Sequence, residues 1–351
     1  MKYFLQKTAY ALLVLGGIIL VVFLLFMALP GDPARLLLGD RAGDPSYAAL
    51  NKELGLDQPR PVQLALYLND VSPLSLHQNT PENEHKYHYL KVCPLGSNTL
   101  VLKWPYLRRS YIDGRSVSSK LLEVLPNTIV LAVAALLLAV FLGLLCGIVA
   151  ALRHQTWIDH ALLLFTVAGI SVPSFFSAIL LQWVFAYLLQ PLTGLPMFGS
   201  LYAMDNDGHE VLVLSNLILP AIALGIRPVA IITQLTRSSM LEVLHADYVR
   251  TAKAKGLSPA AVILRHTLRN ALSPVLTAVS GWFAEMLAGA FFIELIFGWN
   301  GLGKLTVDAL GKNDFPVVMG SVLFTASLFV LLNMVTDFLY GVIDPRIRRN
   351  F

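Results

Sequence analysis

Long apolar runs separated by polar stretches organise this chain. The first run covers residues 9–29, and others cover 126–152, 161–189, 212–232, 275–296 and 317–343. At a helical rise of about 1.5 Å per residue, each is near or above the roughly 20 residues that cross a bilayer core. The pattern predicts an all-α membrane protein with six transmembrane helices. It divides into an N-terminal transmembrane helix at 1–29, a long extracytoplasmic loop or cap at 30–125, and a five-helix core at 126–351. Lys2 and Lys7 precede the first run as they would in a signal peptide. The run is longer than a signal core of about 7–15 residues and no small-x-small cleavage site follows it, so it is expected to stay as a span.

The third run carries Pro173 near its middle and reads as one kinked helix or two short ones. Charge decides between them. With six crossings, twelve Lys and Arg residues fall on the side of the termini, against two, Lys304 and Lys312, in the short loops opposite. Positive residues favour the cytoplasmic side, and loops beyond about 60 residues are left out of that count. A single kinked third span with both termini cytoplasmic is therefore expected.

Composition agrees with this class. The chain is 56% hydrophobic and 14% charged, whereas a soluble domain carries about 25% charged residues. A net charge of +4 raises the question of nucleic acid, but the positive residues cluster beside the spans, where topology demands them. Cys93 lies in the polar loop and Cys146 inside an apolar run, so no disulfide is expected between them. No His/Cys spacing suggests a metal site, and no catalytic grouping suggests an enzyme.

The loop at 234–274 is well punctuated. Ser239-Met-Leu-Glu242 has the form of a capping box, which predicts a helix from there to about Lys255. Lys253 and Lys255 fall in its last turn, and Gly256 suits a left-handed stop. Ser258-Pro259 then restarts a helix, expected to end before Pro274. Small residues, Ala246, Ala252 and Ala254, alternate with Leu244, Val249 and Leu257. They would admit a partner backbone closely, although pattern alone fits a helix lying on lipid equally well.

The run Asp247-Tyr-Val-Arg-Thr-Ala-Lys-Ala-Lys-Gly-Leu257, followed by His266, Arg269-Asn-Ala-Leu and Pro274, resembles the coupling loop of ABC importer permeases in the dipeptide, oligopeptide and nickel branch. Asp247 stands where many members have glutamate, which keeps the charge. The resemblance extends to Pro30-Gly-Asp-Pro33, Leu54-Gly-Leu-Asp57, Ser171-Val-Pro-Ser-Phe175, Glu294-Leu-Ile-Phe297, Gly301-Leu-Gly303, Asp314 and Asp344-Pro-Arg-Ile-Arg348, and is of the first-permease type. Residues 70–107 match nothing in that pattern. The resemblance implies a permease for short peptides in a bacterial cytoplasmic (inner) membrane, working with a homologous second permease, two cytosolic ABC ATPase subunits and an extracytoplasmic solute-binding protein. ATP would be used by the partner subunits, with no cofactor in this chain. Asp247, Tyr248, Ala252, Lys255, Gly256 and Leu257 would couple to the ATPase. Nickel, glutathione or another small solute is an open alternative, because these motifs are shared. A secondary transporter would leave the loop unexplained.

Gly298-Trp-Asn-Gly-Leu-Gly303-Lys304-Leu305 nearly spells a phosphate-binding loop. It follows an apolar run rather than a strand, and Leu305 offers no hydroxyl for magnesium, so nucleotide binding is not expected here. Glu285, Arg227 and Asp337 are ionisable residues in apolar runs, where they are costly and face a bundle interior or a water-filled path. Pairing within the bundle and contact with a transported solute both remain open for Glu285 and Arg227, while Asp337, near the cytosolic end of its run, is expected to be structural. Ser171 and Pro173, where a bend could open a helix to water, join Glu285 as candidate pathway residues.

Overall fold

In the computed structural model, residues 2–28, 57–96, 98–205 and 207–343 of the 351 are described. The motifs at 30–33, 54–56 and 344–348 lie outside them, as does the side chain of Asp337. Helices make up most of the chain, in the order α1 (Lys2–Ala28), α2 (Arg60–Val71), α3 (Pro81–Tyr87), α4 (Val117–Leu152), α5 (Trp157–Ser171), α6 (Ser174–Leu181), α7 (Ser215–Leu244), α8 (Asp247–Ala254), α9 (Pro259–Ala261), α10 (Arg269–Gly289), α11 (Phe291–Phe297), α12 (Leu302–Gly311) and α13 (Phe315–Ile343). Among the described residues, α1, α4, α7 and α13 are long and apolar enough to cross a membrane alone. Two bent pairs bring the number to as many as six if each pair is one span.

The run expected to form a kinked third span is one of these pairs, bent as a broken span or a re-entrant loop is. Backbone direction turns by 109° between Trp157–Ser171 and Ser174–Leu188, so two short helices meet at Val172–Pro173. Proline disfavours helical backbone at the residue before it, and Val172 is extended (φ −82°, ψ 129°). Two further boundaries differ from the pattern. Helix α7 runs through Ser239 without a break, so that residue is no N-cap. Met240 is fully buried there, packed with Ala151 and Ala271, which extends the apolar stripe beyond the span. The helix that restarts at Pro259 continues past Pro274 through a π-helical segment, Val262–Leu268, into α10. Pro274 is exposed, so its ring and the lost hydrogen bond fall on the open side of the helix.

The chain divides into two compact units. One holds α1, the cap and Leu305–Ser327. Its cap is built on a three-stranded antiparallel sheet in the order β1 (Leu74–Gln78), β3 (Asn98–Leu102), β2 (Leu90–Leu95), with Leu74 opposite Leu102 and Leu76 opposite Leu100. Helix α2 packs on α1 through Tyr67, Val71, Val22 and Phe23, with Met319 and Leu323 of α13. Under the sheet, Asp70 accepts from Tyr87 Oη at 2.8 Å and from Arg108 Nε at 3.1 Å, and Lys103 Nζ donates to its backbone carbonyl. Asp314, within this unit, accepts from the Ser110 hydroxyl and from Tyr111 N–H at 3.0 Å.

The other unit holds Val124–Lys304 and the later part of α13. Its helices pack through small residues. A Cβ on Gly147 of α4 would stand 2.5 Å from Thr236 Cβ of α7, and one on Gly143 would stand 2.7 Å from Ile232. Lipid supplies no hydrophobic drive for helix association, so close contact of this kind holds such bundles together.

Candidate functional site

The loop after α7 is built by local rules. His245 closes α7 with its Nδ1 2.7 Å from the Leu241 carbonyl, and Ala246 is extended (φ −69°, ψ 145°), which starts α8 afresh at Asp247. An acid in the first turn and Lys253 in the last suit the helix dipole. Gly256 takes φ +76°, and the N–H groups of Gly256 and Leu257 close the turn onto Lys253 and Ala252 carbonyls at 3.0 and 3.4 Å. A Cβ built on Gly256 would meet nothing within 4 Å, so glycine is needed there for its backbone alone. Ser258 caps the next helix, accepting from Ala261 N–H at 3.3 Å.

Helix α8 has two faces. Val249 and Ala252 are buried against Val262, with Val243 beside them. Ala252 is therefore not a small residue held open for a partner. It is small because the chain's own next helix lies against it. The open face carries Asp247, Tyr248, Thr251, Lys255 and Leu257. Arg250 and Asp247 stand 3.7 Å apart with both side chains largely in solvent, a geometry worth little.

Close to this loop, α7 is clasped to α5. Arg237 donates to the Asp159 carboxylate from Nε at 2.6 Å and from a terminal nitrogen at 2.8 Å, and the Gln155 N–H adds a third donor at 3.0 Å. His154 Nδ1 lies 3.1 Å from Arg237 and 3.2 Å from Asp159. Only 2% of the Asp159 side chain is exposed. Sequence reading passed over this pair. An acid three residues into α5 and an arginine late in α7 were the available signal.

Glu294, named above only as part of a motif, explains the look-alike phosphate loop. Glu294 is fully buried in α11. Its carboxylate accepts from the Thr128 hydroxyl at 2.7 Å and from the N–H groups of Gly303 and Lys304 at 2.7 and 3.1 Å. The Leu302 N–H donates to the same Thr128 oxygen at 2.9 Å. The glycines of the run make room, since a Cβ on Gly301 would fall 2.3 Å from the carboxylate and one on Gly303 2.4 Å from Phe291 Cα. The loop does cradle a carboxyl group, but that group is this protein's own side chain. The signal was in the sequence, because Glu294 shares the apolar run 275–296 with Glu285.

Of the candidate pathway residues, Ser171 and Pro173 lie at the break between α5 and α6, both exposed. Glu285 is exposed on α10, so the chain does not bury it.

Comparison with known proteins agrees with this architecture. Residues 143–349 match the family described as binding-protein-dependent transport system inner membrane component, and residues 1–132 match its N-terminal companion. That companion spans 70–107, the stretch that resembled nothing in the sequence pattern. The chain is 37% identical to the di/tripeptide transport system permease protein of Pseudomonas aeruginosa (strain UCBPP-PA14), over 95% of this chain and 94% of that one. It is 36% identical to the dipeptide transport system permease protein of Alkalihalophilus pseudofirmus, over 99% of both chains, and 34% to that of Escherichia coli (strain K12), again over 99% of both. The chain belongs to the family of binding-protein-dependent transport system inner membrane components: a multi-pass transport subunit of the inner membrane, in a family of permeases and not of enzymes.

Proposed function

We propose that this chain is the membrane-spanning permease of an ABC importer for short peptides, with six crossings and both termini in the cytosol. A homologous second permease shares the pathway, two cytosolic ATPase subunits hydrolyse ATP, and an extracytoplasmic binding protein delivers the peptide. The open face of α8 carries this reading. It is a short helix with one side sealed by Val249 and Ala252, the other side free, and a sharp end at Gly256. The free side, Asp247, Tyr248, Thr251 and Lys255, seats in the ATPase, and Leu257 leads the chain away from it. Closure of the ATPase pair then displaces α8. The displacement passes into α7 across the short His245–Ala246 turn, and from α7 to α5 through Arg237 and Asp159. The peptide substrate is supported by the names of three relatives that match over nearly the whole length.

Reconstitution in proteoliposomes tests the proposal. Uphill uptake of alanylalanine should need ATP, the ATPases, the second permease and the loaded binding protein together. Sustained uphill uptake without the ATPases would overturn it.

A further inference from the structure

Two neighbouring helices of the transport core turn polar faces outward. Helices α7 and α10 run antiparallel: Arg227 lies beside Trp282, Val229 and Ile232 pack on Val275, and Met240 packs on Ala271. On α10 the exposed positions Ser273, Thr277, Gly281 and Glu285 recur every four residues, which is one face of a helix. On α7 the exposed positions include Arg227, Gln234 and Ser238. Among large apolar residues, only Ile218 and Leu276 are exposed on the described parts of these two helices. Helix α4 is the contrast. Its exposed stripe, Val133, Leu137, Phe141 and Leu145, is wholly apolar and suits lipid tails or a partner helix. A stripe of serine, threonine, glycine and glutamate beside an arginine does not suit lipid. It suits water.

Within this flank, the two charges are held apart. The Arg227 guanidinium lies 5.9 Å from the centre of the Trp282 ring, and Glu285 follows Trp282 by three residues on the same helix. No hydrogen bond or ion pair joins Arg227 to Glu285 among the described residues, and neither is buried. Side chains three apart on a helix stand about 5–6 Å apart at Cβ. The two charges therefore share one flank but stand beyond ion-pair distance of each other.

We propose that Arg227, Trp282 and Glu285 form a way-station for a zwitterion, in which Arg227 takes the carboxylate end of a passing short peptide and Glu285 its ammonium end. The inference rests on the peptide-permease reading and names the groups that read the peptide's two ends. A planar guanidinium matches a carboxylate with two parallel N–H donors. The Trp282 ring keeps Arg227 in place and gives the peptide backbone an apolar rest. Open to water and away from full burial, both contacts are weak enough to release the peptide onward, as a pathway requires. With one charge of each sign, the station favours a net-neutral ligand with both termini free.

The test uses the complete reconstituted complex, with Cys93 and Cys146 replaced by serine and with Gly281→Cys as a reporter. A Cβ there meets nothing within 4 Å, so the substitution is accommodated. A water-soluble maleimide should label the introduced thiol, millimolar alanylalanine should slow labelling at least threefold, and alanylalanine amide should protect much less. Arg227→Gln and Glu285→Gln should each abolish the protection and cut uptake about tenfold or more. Both variants should still co-isolate with the second permease and the ATPases in the parent's proportions. No labelling would put the flank against lipid or protein and overturn the proposal. Labelling without protection, in a complex that still imports alanylalanine, would overturn the station and leave the peptide reading standing. Loss of alanylalanine import in the unsubstituted complex would instead remove the reading beneath it.

Discussion

At the scale of single residues, glycines and buried charges separate what is needed for shape from what is needed for contact. Glu294 satisfies three donors without any exposure. Glu294→Ala would take the partner from the buried Thr128 hydroxyl and Gly303 N–H, at about 1–3 kcal/mol for each unmet buried group. It should melt well below the parent in a thermal scan of the detergent-purified complex, and Glu294→Gln, which keeps an acceptor, should fall between them. Parent-like melting of the alanine variant would show that the carboxylate does not hold the loop. Gly256 and Ala252 divide differently. A side chain at Gly256 strains the left-handed backbone by roughly 1–2 kcal/mol but meets no neighbour. Gly256→Val should therefore leave the complex folded while losing co-isolated ATPase or ligand-stimulated hydrolysis. Ala252→Arg forces a charge between Val249 and Val262 and should destabilise the loop itself, so Thr251→Arg, on the open face, is the cleaner probe of docking. Full ATPase association in both Gly256→Val and Thr251→Arg would remove α8 from the coupling role.

At the scale of elements, stop signals were readable where the backbone had to change hand and misleading where burial overrode them. Gly256 and Ser258 act as their residue types suggest. The capping-box pattern at Ser239–Glu242 does not, because Met240 faces the core and the helix gains more by continuing. No pattern within one segment could reveal the Arg237–Asp159 clasp, since its two halves lie 78 residues apart. Removing one partner of a buried pair costs on the order of 3–5 kcal/mol, toward the lower figure here because 18% of the Arg237 side chain stays exposed. Arg237→Ala should lower the melting temperature more than Arg237→Lys, which keeps the charge but not the two-pronged donor. Equal melting of the two would mean that geometry at this clasp is unimportant.

The cap makes its own prediction, on pH. Burial, with Lys103 beside it, holds His77 below its ordinary value of 6.5; burial holds Lys103 down at about 8 against 10.5; and burial lifts Tyr67 to about 12 from 10.0. A neutral-preferring folded histidine loses stability as pH falls below 6.5, where the unfolded chain takes the proton first. The lysine adds stability as pH rises from about 8 to 10.5, where the folded form sheds its proton first, and the tyrosine removes it from about 10 upward. A fluorophore on exposed Cys93, with Cys146→Ser, reports cap unfolding by urea. The midpoint should be higher at pH 9.5 than at 7.5 and lower at pH 5.5. A flat profile from 7.5 to 9.5 would contradict the burial of Lys103.

At the scale of the whole molecule, the membrane class was legible from run length alone, because a bilayer leaves few other uses for such runs. The number of crossings was less so. A proline in an apolar run bends a helix by an amount that its surroundings decide, and here the turn at Pro173 reaches 109°. Sidedness has a direct check. In intact cells, a cysteine at Ser72 in the cap should react with an impermeant thiol reagent from outside, and one at exposed Ser238 should not. Outside labelling of residue 238 would invert the proposed topology.

The clasp at Arg237 has a mechanical corollary. It sits 22 residues from the start of α7 at Ser215 and seven from its end at Leu244. At about 1.5 Å per residue, the arms are about 33 Å and 10 Å long. If Arg237 acts as a fulcrum, α7 is a lever with about threefold gain, and a 1 Å push at α8 emerges as about 3 Å at the far tip. Pro220 and Pro228 both lie on the long arm, so that arm is also the one able to flex.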